Sequence, residues 1–573
     1  MNNLPHFSDK SWKFRSTLPG DEQVRVLSGE LDVSPLVVRL LWTRGLRSTT
    51  EMDLFLSPRI RDLAHPDQWH GLTNAAKTIS QALASGQKPV VWGDYDVDGI
   101  TGTALLLLFF RARGIFSEHY IPSRQTEGYG LNCSGIEALA SRDIKLLITV
   151  DCGISHIKEV VRAKELGMTV VISDHHLPGP ELPPADAIMN PKIGECPCST
   201  LAGVGVAFFL AAVLNRMLPG EHLDMRQFLD LVALGTIADI VELTGQNRIL
   251  AKNGLTVLKD GLRPGIFALK EVCGYKPSAV LDEDRVGFGL APRINAAGRL
   301  GKAETALRLL LTEDLNEARE LAKELDGFNV ERRGIGREIQ DEALRMALEQ
   351  QGRFGLVLHA PHWHEGVIGI IASKVAETHY RPTIILTDDE SGALKGSGRS
   401  IPEFSLYDGL QACEHLLLGF GGHSQAAGLR LHKENLDLFR DAFNAVVARK
   451  LNNTPPKPTL ILDAPLSFGE IDYDLLKELE LLAPFGADNP KPLFISPQVV
   501  VRKRKPVGVD HVFLDLRDEI AGVTMRAKAW NQAKALPQSI TGKSVYLAYT
   551  PKFNEFNGVT SIELALQDWS LQG

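Results

Sequence analysis

The chain has 573 residues, too many for one hydrophobic core, so three or four domains are expected. Its composition is that of a soluble globular protein, and a net charge of −8 requires any nucleic-acid partner to be met by a local basic groove. The N-terminus lacks a signal-type apolar core and no stretch approaches the ~20 apolar residues that cross a bilayer, which points to the cytoplasm and to no membrane partner.

Residues 1–60 carry Trp12, Lys13, Phe14 and Arg15, then short helical patterns through Leu36 to Leu41, and read as an appended N-terminal helical segment. From about residue 70 to 240 short β-rich runs alternate with helical stretches, the signature of a parallel α/β sheet. Functional loops of such sheets lie beyond the carboxyl ends of the strands. The first run, Pro89 to Trp92, is followed by Gly93-Asp94-Tyr95-Asp96-Val97-Asp98-Gly99. Three ionised carboxylates this close repel one another strongly unless something positive sits among them, and a hard divalent cation answers that need. An acidic turn in solvent is the plainer alternative. The spacing also opens an EF-hand loop, but the last loop position would be Leu105 where a bidentate Glu is required.

The second run ends in Val150-Asp151-Cys152-Gly153 and the third in Ser173-Asp174-His175-His176, so both place ligand-type side chains on the same sheet edge. Asp239 ends an apolar helical run; alone it reads equally as a solvated carboxylate at a helix C-terminus. Together these segments bring carboxylates and imidazoles suited to Mn²⁺ or Mg²⁺. A carboxylate shared by two cations about 3.5–4 Å apart makes the two-metal clamp of phosphoryl chemistry, and Asp151 is the candidate bridge. The cysteines are scattered, apart from Cys196 and Cys198. Without a second pair or a His at zinc-finger spacing, reduced structural thiols are the simpler reading than a zinc site.

Gly93 to Gly99, Val150 to Gly153, Asp174-His175-His176 and Gly235 to Asp239 resemble the motifs of the DHH phosphoesterase family. Beyond about 350, Trp363 to Gly369, Gly396 to Ser400 and Gly421 to Gly428 resemble its associated second domain. With Ala291 to Leu300 between them, the chain is similar over about 70–570 to the family's single-strand-specific exonucleases. The resemblance implies a DHH domain over 61–311, a connecting helix over 312–350, a DHH-associated α/β domain over 351–450 and an OB-like β-barrel over 456–573. Trp92 stands where pyrophosphatase members of the family carry a metal-binding His, and Asp94 is the candidate for that coordination place.

The stretch 312–350 is charged and helix-periodic; Gly327, Gly334 and Gly336 interrupt any coiled-coil heptad. In the second domain Gly396 to Ser400 reads as a plain Gly-rich turn or as a phosphate cradle in which Arg399 grips the anion bidentately. Ser397, Arg399 and His423 then face the metal cleft, with Arg293, Asn295 and Arg299 a further phosphate-contacting set; the less favoured alternative for Arg299 is a structural ion-pair partner. After the linker Asn452 to Pro458 come alternating runs (His511 to Leu516, Ser544 to Tyr549, Ser561 to Leu566) and a turn from Phe553 to Gly558. The basic run Arg502 to Lys505 with Trp530, Phe553 and Phe556 is the combination an OB fold uses on single strands, or else a solvated charge run beside core aromatics.

By resemblance, Asp96, Asp98, Asp151, His175 and Asp239 hold two divalent cations, with Asp94 a further ligand, and His176 steadies the transferring phosphoryl group. The implied activity is 5′→3′ hydrolysis of single-stranded DNA in repair and recombination, by a monomer working with a single-stranded-DNA-binding protein and a helicase. Two rivals are a phosphatase or oligonucleotide hydrolase for small substrates, which needs no C-terminal groove, and an idle DNA-binding scaffold, which needs no ligand set.

Overall fold

The apolar runs that read as strands become the centre of a five-stranded parallel sheet in the order Glu118–Tyr120, Lys88–Gly93, Ile144–Val150, Thr169–Ser173, Ala187–Met189. The computed structural model describes residues 10–16, 19–389, 391–556 and 559–571, with only the backbone of Phe556, so part of the turn expected at Phe553 to Gly558 lies outside the described residues. The three central strands are buried nearly throughout, as expected of a parallel sheet covered on both faces. Helices Leu72–Ala84, Val97–Ala112, Gly203–Met217 and Leu229–Ala238 supply the largest apolar core. The register pairs Gly93 with Val150 and Ser173 with Met189. The loops bearing Asp94, Asp151 and Asp174 therefore leave one edge of the sheet together.

Helix Leu315–Glu349 spans 35 residues, roughly 50 Å, and carries the chain to a second domain. That domain is a mixed sheet in the order Gly419–Gly422, Ala426–His432, Ala393–Arg399, Thr383–Asp388, Leu356–His359, of which only the last pair is parallel. In the C-terminal domain, strand Ser544–Phe556 pairs with both Val499–Val507 and Val559–Leu571. Val559–Leu571 in turn meets Val523–Ala529, and these pairings curl the sheet into an OB-like barrel.

The N-terminal segment is helical as expected, but it is not a separate appendage. Strand Ser11–Phe14 pairs in parallel with Thr459–Leu462, and Trp12 Nε1 donates to Asp568 at 2.8 Å. The apolar faces of helices Asp21–Leu31, Pro35–Thr43 and Thr49–Leu56 share one core with Phe468, Leu476 and Phe494. Val37, Leu40 and Leu41 are fully buried there. An amphipathic pattern announces that a face must be covered; it does not say by what, and here the cover lies more than 400 residues along the chain.

This composite module is fastened to the parallel-sheet domain by Arg248 of helix Gly245–Asp260. Its guanidinium donates to the carbonyls of Phe55 (2.8 Å), Leu481 (3.1 Å), Ala483 (2.9 Å) and Pro484 (3.3 Å) and lies 3.7 Å over the Phe55 ring. Arg248→Met keeps the volume but orphans buried carbonyls at the joint. We expect it to cost about 3–5 kcal/mol, read as a shift in urea midpoint, and a loss below about 1 kcal/mol would show the joint is held otherwise.

Candidate metal centre

Each member of the acidic cluster is placed by a local backbone device. Asp96 caps helix Val97–Ala112, one oxygen accepting from Gly99 N at 3.1 Å. A Cβ at Gly99 would lie 2.6 Å from the Asp94 carbonyl oxygen, so the turn closes this tightly only with glycine. Asp98, in the first helical turn, accepts from Gly203 N (2.6 Å) and Val204 N (2.8 Å) at the N-terminus of helix Gly203–Met217, a ready anion site. Asp151 sits at φ 62°, a left-handed conformation that non-glycine residues adopt at a cost and that clusters at functional sites. Asp174 accepts from Ile154 N (2.9 Å) and from the His175 (2.7 Å) and His176 (3.1 Å) backbone amides, and its Oδ1 also takes His176 Nδ1 at 2.8 Å. It orients the His176 imidazole and pins the His175 backbone, and has little capacity left for a ligand. Lys192 Nζ donates to the His175 carbonyl, with Asp174, Asp239 and Asp151 nearby.

His175 Nε2 lies 3.0 Å from Asp151 Oδ1, 3.6 Å from Asp239 Oδ2 and 3.8 Å from Asp98 Oδ2. Asp98, His175 and Asp239 converge as one triad, Asp94, Asp96 and Asp151 as another, and Asp151 also groups with His175 and His176. Burial, then Asp96, pushes Asp98 up to about 7. Burial drives Asp94, Asp151 and Asp239 well above the ordinary carboxylate range, reinforced by Asp96 for the first and by Asp98 for the other two. Burial and the neighbouring His176 push His175 down to about 3. Burial pulls His176 down, but its hydrogen bond to Asp174 together with the charges of Asp174, Asp96 and Asp98 leaves it raised.

A divalent cation fits this arrangement. Asp94 Oδ1, Asp151 Oδ1 and His175 Nε2 are buried with no hydrogen-bond partner among the described residues, an expensive state for polar atoms unless something else meets them. The donors are carboxylate oxygens and a neutral imidazole, the set that hard and borderline cations take. Trp92 is on the other side of the strand, stacked on Tyr120 at 4.0 Å, with Nε1 donating to Gly130 O.

Above the cluster is a cavity of about 410 Å³ whose walls include Asp94, Asp96, Arg124, Tyr129, Asn295 and Arg299. Asn295 and Arg299 of helix Ala291–Arg299 thus face it, and a Cβ at Gly298 would come within 2.3 Å of the Tyr95 carbonyl, so this helix packs directly on the acidic loop. Arg293 does not join them. Its guanidinium donates to Asp326 (2.9 Å), Gly289 O (2.8 Å) and Val272 O (3.4 Å), an anchoring role on the long helix. Arg299 donates to Gly366 O across the domain boundary at 3.0 Å. Burial, then the charges of Arg124, Arg332 and Arg399, lowers it to about 10, which places four arginines within electrostatic reach of one another.

In the second domain the segment Gly396 to Arg399 is strand, not a phosphate-cradling turn. A Cβ at Gly396 would meet Leu386 at 2.4 Å and one at Gly398 would meet Leu406 at 2.7 Å, so these glycines admit core side chains. Ser397 and Arg399 alternate onto one face, where Arg399 Nη1 donates to Ser397 Oγ at 3.0 Å and both approach Gly369 of helix Glu365–His379. His423 is exposed in the hairpin beside Arg399: Ala426 pairs with Arg399 and its carbonyl accepts from His423 N at 2.7 Å. In the basic run, Arg502 pairs with Glu519 and Arg504 donates to Leu536 O (2.7 Å) and Ala533 O (3.2 Å), leaving Lys503 and Lys505 exposed.

Sequence reading missed Arg124 and Tyr129. Both follow the three-residue strand Glu118–Tyr120, which pairs in parallel with Lys88–Gly93 and so delivers its loop to the same edge; the strand is too short and polar to be read as one. The Tyr129 hydroxyl donates to the Asp151 carbonyl at 3.0 Å and lies 3.1 Å from His176 Nδ1.

Sheet, cluster and second domain define the DHH class, and the sequence agrees: residues 88–236 match the DHH family N-terminal domain, 353–449 the DHHA1 domain and 462–568 the RecJ OB domain. The single-stranded-DNA-specific exonuclease RecJ of Bacillus subtilis (strain 168) is 37% identical over 557 residues, covering 96% of this chain and 70% of that one. The crystal structure of RecJ from Thermus thermophilus in complex with Mn²⁺ matches with a TM-score of 0.84 at 32% identity, covering 99% of this chain and 80% of that chain. The corresponding Mg²⁺ complex gives 0.78 at 31% identity, covering 99% and 79%. The chain belongs to the RecJ family.

Proposed function

We propose that the chain hydrolyses phosphodiester bonds of single-stranded DNA, one nucleotide at a time from the 5′ end, with two divalent cations, Mn²⁺ or Mg²⁺. The observation that carries this reading is the convergence of ligand-type side chains from four segments beneath a cavity with arginines in its wall. The names of the curated relative and of its Mn²⁺- and Mg²⁺-bound structural neighbours point the same way.

In this reading Asp98, His175 and Asp239 hold one cation and Asp94 and Asp96 the other, with Asp151 shared. When bound, the cations polarise the phosphoryl oxygens and supply an activated water. His176, its Nδ1 committed to Asp174, lines the cavity and would steady the transferring phosphoryl group. Asn295 and Arg299 hold the strand's phosphates over the cluster, and Arg399, Ser397 and His423 receive a terminal 5′ phosphate. The C-terminal domain, with Lys503, Lys505 and Trp530 exposed, extends the track for a strand longer than a dinucleotide, which favours this reading over a small-substrate phosphatase. Single-stranded DNA is the substrate, and the enzyme acts in repair and recombination as a cytoplasmic monomer alongside a single-strand-binding protein and a helicase.

The test compares linear and circular single strands of one sequence, 5′- or 3′-labelled, with Mn²⁺ or Mg²⁺. Linear strands should yield mononucleotides from the 5′ end while circles and blunt duplexes persist. Arg399→Ala should remove most of the preference for a 5′-phosphorylated end, roughly tenfold or more in kcat/KM, because a charge-assisted bidentate contact is lost. Rapid cleavage of circles would make the protein an endonuclease and end the terminal-phosphate assignment.

A further inference from the structure

Ile240 follows Asp239 directly and occupies the position just past the cap of helix Leu229–Ala238, where the chain turns left-handed at φ 61°. Glycine is the usual residue there, and a β-branched side chain is the type least suited to it. The side chain is 76% exposed, so little burial offsets that cost, yet it lines the same cavity as Asp94, Asp96, Arg124 and Arg299. Its backbone is clamped on both sides. Asp239 N donates to Gly235 O at 2.9 Å, and Leu243 N donates to Ala487 O of the C-terminal domain at 2.9 Å, beside a bridge between Glu242 and Ala487. An apolar branched side chain thus stands, on a backbone tied at Asp239 and Leu243, in a polar, arginine-walled cleft, between the acidic cluster and the domain that would receive the rest of the strand.

We infer that Ile240 is a wedge: it takes the face of one base beside the scissile phosphate and breaks that base's stack with its neighbour. This rests on the single-strand reading above. A strand in this cleft presents its phosphates to the arginines, and its largest apolar surfaces are the faces of its bases. Apolar side chains inserted between base steps unstack them in this way. Opening the stack at one step lets the backbone turn down into the buried cluster and fixes which phosphodiester lies over it. Ile240 is a specificity-determining contact, distinct from the groups that grip phosphate.

The experiment uses the full chain with Ile240→Gly, Ile240→Asn and Ile240→Met. Glycine and asparagine suit the left-handed backbone, so their melting temperatures should equal or exceed that of the parent, while kcat/KM on linear single strands should fall about tenfold, mostly through KM. Met, which keeps an apolar reach, should stay within about threefold of the parent. In an Asp98→Ala background, 2-aminopurine moved along a 5′-phosphorylated strand should brighten on binding at one position near the 5′ end, and Ile240→Gly should abolish that signal. Wild-type kinetics for the Gly and Asn variants, a melting temperature several degrees lower, or no position that brightens would each overturn the wedge. If the parent chain leaves linear strands intact, the functional reading itself fails and this inference falls with it.

Discussion

Asp98→Ala and His175→Ala should each lower turnover of single strands by at least roughly a thousandfold, because in the proposed reading each would be a ligand of one cation. Their effects on stability should differ. Asp98 receives the Gly203 and Val204 amides, so its removal leaves two buried donors at a helix start unpaired, at a cost of about 1–3 kcal/mol each. Relief of repulsion from Asp96 and Asp151 offsets part of that. His175 Nε2 makes no hydrogen bond among the described residues, so His175→Ala loses packing but orphans no donor or acceptor at that atom. The check is turnover with excess Mn²⁺ alongside urea unfolding without metal. Near-parental turnover by either variant would remove that residue from the metal set, and equal stability losses would show that the helix-end contacts to Asp98 contribute little.

The parts of this site visible in the sequence are those that obey the strand-then-acid rule. Asp94 to Asp98, Asp151 and Asp174 to His176 each follow an apolar run long enough to be recognised, and the carboxyl edge of a parallel sheet does the rest. What was hidden has identifiable causes. Arg124 and Tyr129 follow a strand of three residues with no apolar signature. Arg293 looked equivalent to Arg299, but six residues along a helix turn the two about 120° apart, whereas Asn295 and Arg299, four apart, lie about 40° from one another and share the cavity face. The glycines around Ser397 mark close packing of a strand, a use of glycine that composition alone does not separate from an anion-binding turn. The N-terminal helices announced an apolar face without naming its partner, which only the folded chain supplies.

Metal removal should make the protein's stability fall with rising pH, the reverse of the behaviour of ordinary surface acids. Asp98 is held up to about 7, and Asp94, Asp151 and Asp239 are also raised well above the ordinary carboxylate range by burial and by neighbouring carboxylates. With folded-state values above unfolded ones, the native chain binds more protons than the unfolded chain from the unfolded carboxylate range upward, so unfolding free energy declines as pH rises through the folded values. His176, also raised, acts in the same sense. His175, pushed down to about 3, acts in the opposite sense, but only up to the unfolded imidazole value near 6.5. From pH 6.5 to 8.5 the raised carboxylates therefore outnumber Lys252, which burial, then Arg248, lowers to about 8 and which acts in the opposite sense. In EDTA the melting temperature should drop across this window. Mn²⁺ should flatten the slope, because a cation that binds the deprotonated cluster stabilises most where the protons have already left, by about 2.7 kcal/mol at a hundredfold excess over its dissociation constant. The metal-induced rise in melting temperature should consequently be larger at pH 8.5 than at pH 6.5, and its midpoint concentration lower. A metal-free melting temperature that climbs with pH across the window, or a metal-induced shift that is the same at both ends, would mean that these carboxylates are not the groups the cation meets.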